Sequence, residues 1–315
     1  MKSWLAALVL VLISLDGIAT DYPPVTVDMK LKQVSEHVYY VRGVPGIATD
    51  NQGFISNAAA VITPEGIIVV DALGSPSLAA RFLTLLREVS DQPIKQVILT
   101  HYHADHIYGI QVFKELGAKI VAPAGYAEYL HSEYAQQRLA ERRESLSPWV
   151  NEQTRLVAPD QVVDKDYQFS LGGIELAVKF FGAAHSDGDL ALLVKSDGVL
   201  LSGDLIFEGR VPFTGNGDTG HWLSALRELN EAKLQGLVPG HGPAAKKPRE
   251  AVALTLNYLQ YVRDKMAEAV EEMMPFAEAY EATDWSAFSD LPAFQATHRR
   301  NAYGVYLSLE EEQFK

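Results

Sequence analysis

Apolar positions along this 315-residue chain follow two periods, and the switches between them mark its elements. Short apolar runs at Val38-Tyr39-Tyr40-Val41, Ala59 to Ile62, Ile67 to Val70 and Gln96 to Leu99 predict buried strands. Between the last two the spacing becomes helical. Ser75 stands as N-cap and Pro76 in the first turn, with Leu78, Phe82, Leu85, Leu86 and Val89 on one face. A second helix is expected from Ile107 to Leu116. Residues 124–156 then read as charged helices inserted between core strands. Further strands are predicted at Ile174 to Phe181, Val199 to Ser202 and Leu237-Val238. A long amphipathic stretch, Arg249 to Met274, places Leu254, Tyr258, Tyr261, Val262 and Met266 near helical spacing. This alternation, without repeats or low-complexity tracts, predicts an α/β fold with two sheets flanked by outer helices.

The amino terminus changes the picture. Met1-Lys2-Ser3-Trp4 precedes an apolar run from Leu5 to Leu15, of signal-peptide length and short for a bilayer span. Small residues around Ala19 place the expected cleavage there. Residues 1–19 are therefore read as a signal peptide and 20–315 as a single domain, with a helical extension from about 249. The mature form is expected to lack an integral span and to be periplasmic or secreted. The chain has no cysteine, which rules out a disulfide framework and suits an oxidising compartment. A formal net charge of −13 argues against nucleic acid as a partner and leaves a small-molecule substrate.

Candidate chemistry concentrates in Thr100-His101-Tyr102-His103-Ala104-Asp105-His106, directly after a predicted strand. His101 and His103 share a side because strand side chains alternate, and Asp105 and His106 follow as the chain turns into a helix. Four such groups are costly to bury together unless a divalent cation compensates. Two ligand sets diverging from one loop suit two ions a few ångströms apart. Downstream, His185 in Gly182-Ala183-Ala184-His185, Asp204 in Ser202-Gly203-Asp204 and His241 in Pro239-Gly240-His241-Gly242 each close an apolar run in a small-residue loop.

This ordered series, His-x-His-x-Asp-His followed by His, Asp and His, resembles the metallo-β-lactamase-fold hydrolases over roughly Val34 to Gly242. The resemblance implies an αββα sandwich of two mixed sheets. It implies one ion held by His101, His103 and His185, a second by Asp105, His106 and His241, and Asp204 bridging them. Two zinc ions per chain are expected, with iron or manganese as alternatives for the same donors. β-Lactamases of this fold carry Cys or Ser at the position of Asp204, whereas an aspartate there resembles the glyoxalase II, lactonase and phosphodiesterase branches. Segments around His185, Asp204 and Asn301 look like secreted quinoprotein relay-system zinc metallohydrolases.

The resemblance also implies that Asp71, ending a predicted strand, supports the metal loop from beneath, and that Asp105 orients the nucleophile while coordinating its metal. Arg210 is the candidate for an anionic substrate group. Tyr126, Tyr129, Tyr134 and Trp149 are candidate lid residues, His221 a helix-start residue beside the site. His298, Asn301 and Tyr306 either line the cleft or dock a terminal helix. The function expected is binuclear zinc-dependent hydrolysis of an ester, thioester or lactone. Other readings are a mononuclear iron enzyme like the persulfide dioxygenases, a β-lactamase, and a non-enzymatic periplasmic accessory protein of quinoprotein biology.

Overall fold

A computed structural model describes residues 22–313; the expected signal peptide and its cleavage point lie outside the described residues. Two mixed sheets face each other. The first has seven strands in sequential order: β1 (Leu31–Gln33), β2 (Val38–Val41), β3 (Ala58–Thr63), β4 (Gly66–Val70), β5 (Ile94–Ile98), β6 (Lys119–Pro123) and β7 (Gln161–Val163). Its first four strands pair antiparallel and the rest parallel. The second contains β8 (Tyr167–Leu171), β9 (Ile174–Gly182), β10 (Asp189–Val194), β11 (Val199–Phe207) and β12 (Gly236–His241), ordered β12-β11-β10-β9-β8. All its pairings are antiparallel except the parallel β11–β12 pair.

Strand alternation builds the layers. Val38, Tyr40, Ala59, Val61, Ile68 and Val70 meet Leu176, Val178, Leu190 and Leu192 between the sheets. The intervening Ile67, Val69 and Val97 face outward, where α1 (Pro76–Arg87), α3 (Ile110–Glu115), α4 (Ala124–Leu130) and α5 (Glu133–Ser145) cover them. The other sheet is covered by α6 (Thr219–Glu231), α7 (Pro248–Glu271), α8 (Phe276–Ala282) and α9 (Phe294–Gln313). The result is the expected αββα sandwich. Both faces of the central strands are buried, which is why their sequences read as continuous apolar runs.

Three local expectations change. The helix predicted from Ile107 starts at Ala104 and splits into α2 (Ala104–Ile107) and α3. The His106 carbonyl accepts from the Ala72 amide at 2.7 Å, and the Gly109 amide donates to Leu73, so tertiary bonds interrupt the helical ladder. Ser75 caps α1 as expected, accepting from the Leu78 amide, but the helix ends at Arg87 and Val89 is exposed. In the tail, His298 contacts the Tyr258 hydroxyl and Tyr306 donates to the Met274 carbonyl, so α9 docks on α7 instead of lining the cleft. Among the described residues no helix is long and apolar enough to cross a membrane.

Candidate metal centre

All seven expected ligands converge at one end of the sandwich. His101, His103, His185 and Asp204 bring one ligand atom each within 4.8 Å of one another, and so do Asp105, His106 and His241. Asp204 lies between the groups. Its Oδ2 is 3.9 Å from His101 Nε2, 3.3 Å from His185 Nε2 and 3.2 Å from His241 Nε2, while its Oδ1 is 3.3 Å from His106 Nε2. His241 Nε2 lies 3.3 Å from Asp105 Oδ2, and His103 Nδ1 lies 2.9 Å from His185 Nε2. Buried polar atoms in folded proteins nearly always have partners. Yet His101 Nε2, His106 Nε2 and Asp204 Oδ1 are buried without a hydrogen bond, all aimed at the same space. Five imidazole nitrogens with two carboxylates form a donor set that fits divalent zinc, iron or manganese.

The ring orientations have identifiable causes. Asp71 sits at φ 61°, just past the end of β4, with its carboxylate under the loop. Its Oδ2 is 2.9 Å from His106 Nδ1 and its Oδ1 accepts from the Thr100 amide at 2.8 Å. The Thr100 hydroxyl donates to Asp71 Oδ2 at 2.8 Å and lies 3.0 Å from His101 Nδ1, which donates back to it. One carboxylate thus fixes His106 directly and His101 through Thr100, leaving both Nε2 atoms free to bind. His241 is set differently: its Nδ1 donates to the Ile55 carbonyl at 2.8 Å. Next to Ile55, Ser56 donates to the Asp105 carbonyl, and buried Asn57 donates to the Pro239 and Gly242 carbonyls at 2.7 and 2.9 Å. The His185 loop is held by buried Asp189, which accepts from the Ala184 and Ser186 amides.

Asp204 falls inside β11 instead of at its end, at an interruption in the pairing with β12. Gly203 there has φ 52° and lies against Thr100, and a Cβ on Gly240 would meet Asp204 Oδ1 at 1.8 Å. Only glycine at both positions lets the two strands bring a carboxylate between the imidazoles.

Charge differs across the site. Burial lowers the pKa values of His101 and His103 and takes His185 down to about 3, so these rings are neutral. Burial opposes charge on His106 and His241 too, but the Asp204 and Asp105 carboxylates outweigh it and raise both. Arg210 is buried, and that burial lowers its pKa; the nearby Asp204 and Asp105 charges work the other way. Its guanidinium also lies 5.8 Å from the centre of the Phe207 ring. His221 lies in the first turn of α6 beside the His185 loop, with Nδ1 on the Ala183 carbonyl, and takes no part in either ligand group.

Of the candidate lid residues, Tyr126 is buried with its hydroxyl on the Val157 carbonyl, and Trp149 donates to the Pro24 carbonyl. Tyr129 and Tyr134 instead join Tyr102, a residue the sequence reading passed over although it sits between two ligands. Thr100, Asn57 and Asp189 were also missed. The signal for Thr100 and Asp189 was adjacency to the ligand motifs; Asn57 gave none.

The profile of the Metallo-beta-lactamase superfamily matches residues 51–241, more than half of the chain, and the protein belongs to that superfamily. The chain is 22% identical over 239 residues to a linear primary-alkylsulfatase of Pseudomonas sp. (strain ATCC 19151), covering 64% of this chain and 45% of that protein. It is 23% identical over 270 residues to a type 2 metallo-beta-lactamase of Elizabethkingia meningoseptica, covering 83% and 96% respectively. Among solved structures, the stereoselective inverting sec-alkylsulfatase Pisa1 from Pseudomonas sp. superimposes with a TM-score of 0.68 at 19% identity, over 89% of this chain and 50% of that one. The chain spans about half the length of these alkylsulfatases. The structural likeness supports the fold.

Proposed function

We propose that the protein is a binuclear zinc-dependent hydrolase acting on an ester, thioester or lactone with an anionic group. The observation that carries this reading is the set of buried, unpartnered His101 Nε2, His106 Nε2 and Asp204 Oδ1 atoms pointing at one space. His101, His103 and His185 would hold one ion, Asp105, His106 and His241 the other, with Asp204 shared; iron or manganese suits the same donors. When bound, such ions supply Lewis acidity and lower the pKa of water from about 15.7 to about 7. The chain supplies the rest. Asp105, the most exposed of the carboxylates here, would orient the attacking water. Arg210, buried close enough to Asp204 and Asp105 to feel their charges, binds the anionic group.

The motif likeness to quinoprotein relay-system and glyoxalase II-like members supports action in the periplasm, after removal of residues 1–19. A second reading, sulfate-ester hydrolysis, is favoured by the alkylsulfatase relatives together with Arg210. Metal quantitation paired with a panel of thioesters, lactones, alkyl sulfates and β-lactams tests both. Two zinc ions per chain and turnover of a carboxylic ester, thioester or lactone are expected, with both lost in His103→Ala. Turnover of alkyl sulfates alone decides for the second reading. A single iron with oxygen-dependent turnover overturns both.

A further inference from the structure

Beside His103 the ligand loop carries a tyrosine, and the inserted helices bring two more against it. The Tyr102 ring stands 5.4 Å from that of His103, nearly perpendicular to it. Tyr129 of α4 stacks on Tyr102 at 4.7 Å and 12°, and Tyr134 of α5 meets Tyr129 edge-on at 6.1 Å. The Tyr102 hydroxyl donates to Asp187 Oδ2 at 2.8 Å, so the His185 loop pins the ring from its far end. Tyr129 is buried, Tyr102 half-buried, and Tyr134 is 57% exposed. The row therefore leads from a candidate ligand to solvent.

Tyr129 and Tyr126 are buried in the core, whereas Tyr134 presents its ring to solvent at the outer end of a row that starts at a candidate ligand.

We propose that Tyr102 and Tyr134 form a subsite for an aromatic group, carried by a substrate whose scissile bond lies among the seven converging ligands. This rests on the metal-centre reading above and adds a substrate class to it. Flat rings gain from offset or edge-on contacts with such a wall beyond what buried area supplies, about two- to tenfold in affinity.

Calorimetric titration of the zinc-loaded full chain with phenylphosphonate, cyclohexylphosphonate and methylphosphonate tests this without any turnover. Phenylphosphonate is expected to bind about two- to tenfold more tightly than cyclohexylphosphonate, which matches its bulk without a flat π-face. Tyr134→Ala, an exposed position, should abolish that difference and leave methylphosphonate affinity unchanged. Tyr102→Leu should do the same to the phenyl preference while zinc content is retained. Equal binding of the two ring compounds, or an intact phenyl preference in Tyr134→Ala, overturns the subsite. Failure of all three phosphonates to bind zinc-loaded protein overturns the metal-centre reading itself.

Discussion

The two halves of the sandwich deliver their candidate ligands in opposite ways. The first sheet contributes candidate ligands His101, His103, Asp105 and His106 from one continuous segment that runs from the end of β5 into α2, and Asp71 holds two of those rings. The second contributes His185 from the loop between β9 and β10, Asp204 from within β11 and His241 from the end of β12, each with its own support. Asp189 secures the first, glycines 203 and 240 admit the second, and Asn57 with Ile55 secures the third. Damage in the first half should therefore spread to several ligands at once, whereas in the second it should stay with one. Contiguity brings precision at the cost of a shared point of failure.

Asp71→Ala offers the harshest way to break this contrast. It removes the acceptor for His106 Nδ1 and for the Thr100 hydroxyl that orients His101, so rings of both ligand groups lose their fixed tautomer. Losing one such outer partner costs roughly 10–100-fold in metal affinity. Here the loss should appear in both ions, with hydrolysis falling by at least about 100-fold. Zinc titration of the purified variant checks it; retention of one ion at unchanged affinity would show that the two halves are not coupled through this carboxylate.

Asn57→Ala sharpens the same contrast from the other side. Its amide ties the Pro239 and Gly242 carbonyls on either side of His241, and removal leaves buried groups unpaired at about 1–3 kcal/mol each. One of the two ions should weaken by about tenfold or more, the other should be unaffected, and the melting temperature should drop by several degrees. Stoichiometry from competition with a chelator separates these outcomes. Loss of both ions together would remove the distinction between shared and independent support.

The same division governs what the sequence discloses. The first half's ligands fall within six positions, so their chemistry is visible without knowing the fold. His185, Asp204 and His241 could be picked out because each ends an apolar run beside small residues. Supports acting across the chain leave no such trace. Asn57 lies 182 residues from Pro239, and nothing around it in sequence distinguishes it from a strand-edge asparagine. The break between α2 and α3 is equally hidden, because it comes from the His106 carbonyl bonding to Ala72 and not from a helix breaker in the pattern. Two sheets flanked by helices were legible because apolar strand runs and amphipathic helices are local properties, and the αββα order came with the resemblance that the ligand motifs carry. The tail was only half legible: His298 and Asn301 looked chemically suited to a cleft, yet aromatic neighbours Phe294, Trp285 and Tyr258 enclose the imidazole.

Asn301 yields the mildest expected effect and the most specific. Its Oδ1 accepts from the Thr214 amide and hydroxyl, and its Nδ2 donates to the Pro212 carbonyl and the Tyr258 hydroxyl. The segment it anchors follows Arg210 directly, so the C-terminal helix steadies the side of the cleft assigned to anion binding. It touches no ligand. Asn301→Ala should therefore leave zinc stoichiometry intact and raise KM for an anionic substrate several-fold, with kcat little changed, because binding common to ground and transition states is what is lost. An uncharged substrate of the same bond type should show no such rise. If instead zinc is lost from Asn301→Ala, the support of Asp204 and His241 reaches through α9, and the second half is less divided than its three separate supports indicate.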